Sequence, residues 1–150
     1  MLSVIEFGYS LPFFTIPSSV EIKNNKSAID DDRFESSEIE KLVKKGCVQE
    51  VIGKPKVVNP LSVAGNKSKQ RLVLDARHVN PQLFKNKHKY EDASTSRELF
   101  QMGDFLFSFD LKSAYHHIMI NEGDRKYLGF KWKEKYYVFK VLPFSLSTAG

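Results

Sequence analysis

The sequence predicts an α+β fold, an antiparallel sheet with packed helices. Two kinds of periodicity and the placing of turn residues carry that prediction. Side chains alternate in character over Lys69–Asp75 and Phe105–Asp110, whereas Ile39, Leu42 and Val43 share one face at helical spacing. Turn-forming clusters fall between such stretches, as in Gly65-Asn66-Lys67-Ser68 and Lys133-Glu134-Lys135. A chain of 150 residues, 41% hydrophobic and 27% charged, is long enough to bury one core and too apolar for wholesale disorder.

Residues 1–35 read as an irregular lead-in with turn signals at Pro12, Pro17, Ser18, Ser19, Asn24 and Asn25. The organised domain is expected over 36–150. Ser37 and Glu40 have capping-box spacing and open a helix that Gly46 closes, with Lys41, Lys44 and Lys45 turned to solvent. Val57–Ala64 and Lys69–Asp75 then form a hairpin, and Pro60 makes the first of these strands an edge or interrupts it. Lys69 and Arg71 fall on one face of the second strand. Two cations so placed suit either a phosphate grip or a plain exposed edge. A helix over Ser94–Met102 ends at Gly103. The strand Phe105–Asp110 should send Phe105, Phe107 and Phe109 into packed helices and present Asp110 at its tip on the opposite face. Ser113–His117 turns helically, and Tyr127–Trp132 pairs with Tyr136–Val141 around Lys133-Glu134-Lys135.

Composition narrows the function classes. One cysteine, Cys47, excludes an internal disulfide framework and a Cys-based zinc site, and reads as a small buried hydrophobe. No apolar run reaches the roughly 20 residues that span a bilayer. The opening MLSVIEFGYS lacks the basic start and apolar stretch of a secretory signal. A soluble intracellular protein, cytoplasmic or nuclear, with no membrane partner, is therefore expected. The net charge of +5 is uneven: residues 1–40 carry −5, residues 41–90 carry +10, and residues 91–150 balance. So basic a middle suggests a polyanionic partner, although a solvated lysine-rich surface has the same composition.

A lone aspartate at a strand end usually caps a turn. The words around Asp110 say more. The string Phe109-Asp110-Leu111-Lys112-Ser113-Ala114-Tyr115-His116-His117-Ile118 resembles the first palm motif of reverse transcriptases. Arg71-Leu72-Val73-Leu74-Asp75-Ala76-Arg77-His78-Val79-Asn80 resembles the fingers segment before it, and Tyr127-Leu128-Gly129-Phe130 with Val141–Ala149 resembles the strands and second palm motif after it. The resemblance covers at least 36–149, Val4–Lys26 also looks like retrotransposon polymerases, and the phrasing of 109–117 is closest to DIRS-like elements.

The resemblance implies a fingers subdomain plus the first part of a polymerase palm, truncated, with RNA or DNA template-primer and dNTP as partners. Template-directed DNA synthesis in that family uses two Mg²⁺ ions about 4 Å apart, held by carboxylates and a carbonyl. Asp110 would bind both ions and the Leu111 carbonyl would assist. Arg71, helped by Lys69, would hold the β- and γ-phosphates. Ser113 and Ala114 would offer backbone N–H groups to the triphosphate, Tyr115 would gate the sugar against a 2′-hydroxyl, and Phe144 would line the pocket near the 3′ position. Ordinary packing remains the other reading of Tyr115 and Phe144.

The chain departs from the family pattern in places. After Asp110 it holds one further aspartate, Asp124, and no aromatic-x-Asp-Asp motif or thumb. Ser145 stands where the family has Gly, and Gly150 where it has Pro. The implied activity is therefore one this chain does not perform alone. A non-catalytic nucleic-acid-binding relic of such a polymerase is the alternative. His116 and His117 are adjacent and diverge by roughly 100° on a helix, which does not suit one shared metal. Lys85, Lys87 and Lys89, interleaved with His88 and Tyr90, read as a basic strip near nucleic acid.

Overall fold

The computed structural model describes residues 2–85, 101–105, 107, 108, 110 and 114–147. Its centre is a tight hairpin, β6 (Gly129–Trp132) and β7 (Lys135–Phe139). The connection has two residues, Lys133 (φ 45°) and Glu134 (φ 62°), both left-handed, which is the turn whose twist matches the flanking strands. Neither residue is a glycine. The turn is held from outside by Lys133 to Asp32 at 3.0 Å and Glu134 to Lys131 at 3.2 Å. Within the hairpin Phe130 stacks on Tyr137, ring centroids 5.1 Å apart, and leans on Phe139 at 5.7 Å.

Further strands extend the sheet on both sides, in the order β1-β3-β6-β7-β2. Strand β2 (Val48–Val51) joins β7 antiparallel. On the other side β3 (Val57–Asn59) lies parallel to β6, and β1 (Val20–Glu21) parallel to β3. The α+β class stands, and the sheet is mixed rather than wholly antiparallel. Close approach at the β3–β6 seam explains Gly129: a Cβ there would come within 2.5 Å of the Pro55 side chain and 2.7 Å of the Val57 carbonyl oxygen.

Pro60 interrupts the expected Val57–Ala64 strand and sends its halves into different sheets. Beyond it, β4 (Leu61–Ala64) pairs with β5 (Arg71–Leu74) in a separate two-stranded hairpin. Three anchors fix the branch. Asn59 donates from Nδ2 to the carbonyls of Tyr127 and Gly129, each at 3.0 Å. The Asn24 side chain accepts from the Leu61 N–H, and the Pro60 carbonyl accepts from the Asp75 N–H. The lead-in, expected to be irregular, carries α1 (Leu2–Phe7), β1 and α2 (Lys26–Asp30), of which β1 belongs to the main sheet.

Helix α3 (Asp32–Lys44) starts before Ser37 and ends where expected. Gly46 (φ 72°) closes it: its N–H reaches the Val43 carbonyl, and the Cys47 N–H reaches Leu42. Glu35, Ile39 and Leu42 form the buried stripe, while Val43, expected beside them, is exposed. Strand β5 begins at Arg71, so Lys69 sits in the turn, its N–H bonded to Asn66.

Of the expected strand over Phe105–Asp110, the described residues 105, 107, 108 and 110 lie in no strand, and Phe105 and Phe107 are exposed. Extended backbone is held by a neighbour's ladder, and among the described residues no strand pairs with this one. Phe109, and residues 94–100 of the expected Ser94–Met102 helix, lie outside the described residues. Gln101–Asp104 form a turn through Gly103 (φ 101°).

Glu35 is the exception in the core. It is fully buried, and among the described residues neither carboxylate oxygen has a partner. Burial first, then the negative charges of Asp31 and Glu38, push its pKa from an ordinary 4.5 to about 8. A raised carboxyl pKa removes stability as pH climbs from the unfolded value toward the folded one, because the unfolded chain ionises first. Glu35→Gln should therefore melt near wild type at pH 4 and be more stable at pH 8, by about 1–3 kcal/mol. Thermal melts followed by circular dichroism across that range check the growing gap.

Candidate functional site

The two sheets and α3 leave a cavity of about 730 Å³ between them. Strand β5 forms one wall through Arg71 and Val73, and α3 forms another through Glu38, Lys41 and Lys45. Tyr115, His116, Phe139, Asp110, Pro143 and Phe144 also line the cavity. A space of this size is ordinary for a small-molecule ligand.

Several residues singled out from the sequence meet here. Arg71, Asp110, Ala114, Tyr115 and Phe144 all line the cavity, although they come from three separate stretches of chain. Tyr115 is half-buried and meets Phe144 edge to face, with centroids 5.3 Å apart and ring planes at 81°. The 3₁₀ turn Ala114–His117 sets Tyr115 and His116 in place. Asp110 is exposed, and among the described residues neither it nor Arg71 makes an ion pair. Lys69, in the hairpin turn, does not line the cavity. Leu111 and Ser113 lie outside the described residues.

Other acidic groups serve the framework. The Asp124 carboxylate accepts the Leu11 N–H at 2.8 Å, tying the lead-in to the turn before β6. Asp31 accepts from Gln70, Asp32 pairs with Lys133, and Asp75 binds Arg77 and Asn25. The Arg77 guanidinium, more than any other contact, holds the Asp75 carboxyl below the usual range. In the cavity itself Glu38 is engaged by Lys41 at 2.6 Å. Among the described residues no three His, Cys, Asp or Glu side chains gather to hold an ion. One open carboxylate fits a single ligand of a two-Mg²⁺ pair, not the pair.

Sequence reasoning missed the α3 wall. Lys41 and Lys45 are exposed, as helical spacing predicts, and both also border the cavity, which that spacing does not show. Ser145 stands where the family has Gly, a residue that permits a special backbone conformation or the close approach of a ligand. Among the described residues the only non-glycines with positive φ are Lys133 and Glu134, so Ser145 sits in ordinary backbone with its hydroxyl buried and unpartnered.

Burial, then the positive charge of Lys45, then His117 hold the His116 pKa below its ordinary 6.5, so this ring stays neutral at pH 7. Lys45→Ala should raise the His116 midpoint toward the ordinary value and leave burial as the main remaining cause. An NMR titration of the imidazole carbons in wild type and variant measures this.

No family model matches the chain. Over 113 residues, 71% of its length, it is 28% identical to a polyprotein of Cassava vein mosaic virus, of which the match covers 17%. Over 135 residues, 87% of its length, it is 27% identical to the retrovirus-related Pol polyprotein from transposon 412 of Drosophila melanogaster, covering 11% of that protein. The foamy viral protease-reverse transcriptase, solved in complex with an RNA/DNA hybrid, superposes with a TM-score of 0.66 at 16% identity. That match covers 93% of this chain and 18% of the other. The chain thus spans less than a fifth of each. It has the fold of a segment of a reverse transcriptase chain, and its sequence is similar to retroelement Pol polyproteins.

Proposed function

We propose that this chain is the nucleotide-binding front segment of a retroelement reverse transcriptase, fingers followed by the first part of the palm. The observation that carries the reading is convergence: Arg71, Asp110, Ala114, Tyr115 and Phe144 border one cavity. A guanidinium that makes no ion pair among the described residues and lines a space large enough for a nucleoside triphosphate is a good β/γ-phosphate ligand, because its planar fork matches phosphate oxygens. Lys69 adds charge from the turn and acts at longer range.

In this reading the backbone N–H groups of Ser113 and Ala114 face the triphosphate, and the Tyr115 ring lies under the sugar, where a 2′-hydroxyl would clash. Phe144 closes the far side near the 3′ position. Asp110, with the Leu111 carbonyl, would contribute one side of the Mg²⁺ site. The remaining carboxylates are not among the described residues, so phosphoryl transfer is not assigned to this segment acting alone. RNA or DNA template-primer would bind through the basic stretch 41–90. The RNA/DNA hybrid bound by the foamy viral enzyme supports that partner class. The wording of residues 109–117 supports a DIRS-like origin within the retroelements.

The experiment is a dTTP titration of the 150-residue chain by calorimetry, paired with Mg²⁺-dependent primer extension. Binding should be measurable and Arg71→Ala should weaken it about tenfold, as expected for loss of one charge-assisted phosphate contact. Extension should be absent. Equal dTTP affinity for wild type and the Arg71 variant contradicts the phosphate role, and extension dependent on Asp110 contradicts the dependence on further carboxylates.

A further inference from the structure

Phe144 sits on a stretch, Pro143–Ser147, that belongs to no strand or helix. Among the described residues one side chain holds that stretch, and it comes from far away in the sequence. Asn80 donates from Nδ2 to the Ser145 carbonyl at 3.0 Å, and its Oδ1 accepts from the Ser147 N–H at 2.9 Å. A carboxamide carries a donor and an acceptor side by side, so it can engage a carbonyl and an N–H of one strand as a neighbouring peptide would. The stretch's own hydroxyls do no such work: Ser145 Oγ and Ser147 Oγ are buried and have no partner among the described residues. Leu146, between them, is buried in the core.

Asn80 is itself well seated. It follows fully buried Val79 and opens the 3₁₀ turn Asn80–Gln82, and it is reached from β5 through the turn Ala76–His78. One run of chain therefore carries both Arg71, which lines the cavity, and the amide that grips the stretch bearing Phe144, which lines it too. We infer that Asn80 is a positioning residue: it locks Ser145 and Ser147 so that Phe144 meets Tyr115 edge to face at the cavity that Arg71 also lines. The clamp itself is independent of any ligand, whereas its consequence for nucleotide binding rests on the function proposed above.

The variants separate its two bonds. Asn80→Asp keeps an acceptor for the Ser147 N–H and loses the donor to Ser145, while Asn80→Leu loses both at nearly equal volume. The test uses the labelled 150-residue chain, with ring–ring NOEs between Phe144 and Tyr115 and dTTP titration as readouts. Phe130–Tyr137 NOEs report the intact sheet. Asn80→Leu should abolish the Phe144–Tyr115 NOE and weaken dTTP about tenfold, Asn80→Asp should do both in part, and the sheet NOEs should persist. Should Asn80→Leu unfold the chain, Asn80→Asp decides the matter by the same readouts. Retention of the Phe144–Tyr115 NOE at wild-type strength in either folded variant overturns the inference, as does loss of that contact with unchanged dTTP affinity. If wild type binds no dTTP, the nucleotide reading falls, and the NOEs still judge the clamp.

Discussion

The break at Asn59-Pro60 governs this structure. A strand that ran on from Val57 to Ala64 would keep β4 in the main sheet and leave no second hairpin. Proline cannot donate to a ladder, so the pairing of β3 with β6 stops there and the chain is free to leave. Leaving alone would give a floppy branch. The buried Asn59 amide fastens the last residue of β3 to two carbonyls of the neighbouring chain, while Asn24 and the Pro60 carbonyl fix the first residue of β4 and the end of β5. Those bonds aim β5 across α3, and the space between is the cavity. Arg71 reaches it because of where that branch points.

Charge is spent unevenly over this framework. Half of the eight acidic groups of the lead-in and of α3 are tied to neighbours: Asp31 to Gln70, Asp32 to Lys133, Glu38 to Lys41, Glu21 to Lys54 and Lys131. These exposed pairs add little stability each. Their effect is to neutralise cations of the framework while Arg71 remains without an ion pair among the described residues. Glu35 runs the other way, a protonated carboxyl in the core whose ionisation opposes folding. Its stripe-mates Ile39 and Leu42 supply the apolar burial that keeps α3 on the sheet in spite of it.

How much could be read beforehand follows from the range of each signal. Local signals read well: Gly46 ends α3, Lys133-Glu134 turns the central hairpin, and Pro60 interrupts its strand. Signals that need a distant partner did not. Val20–Glu21 is too short to show a period, and β1 exists because β3 offers it a ladder. The alternation of Phe105–Asp110 has the pattern of a strand, yet no neighbour among the described residues takes it up, so Phe105 stays in solvent. Within the site, Asp110, Tyr115, Arg71 and Phe144 were legible through word-like motifs. The α3 wall and the Asn80 clamp were not, because helical spacing says which residues share a face and not what that face meets across a gap.

Five residues from three stretches line one space, among them Arg71, which makes no ion pair among the described residues, and a nucleotide bound there would sit against Tyr115 and Phe144. Photo-crosslinking of the 150-residue chain with a 5-azido-dUTP probe, mapped by peptide mass spectrometry, should label the peptides that hold Tyr115 and Phe144, and unlabelled dTTP should compete the label away. Label confined to the lead-in or to the outer face of the β6–β7 sheet, or label indifferent to competition, would contradict this placement.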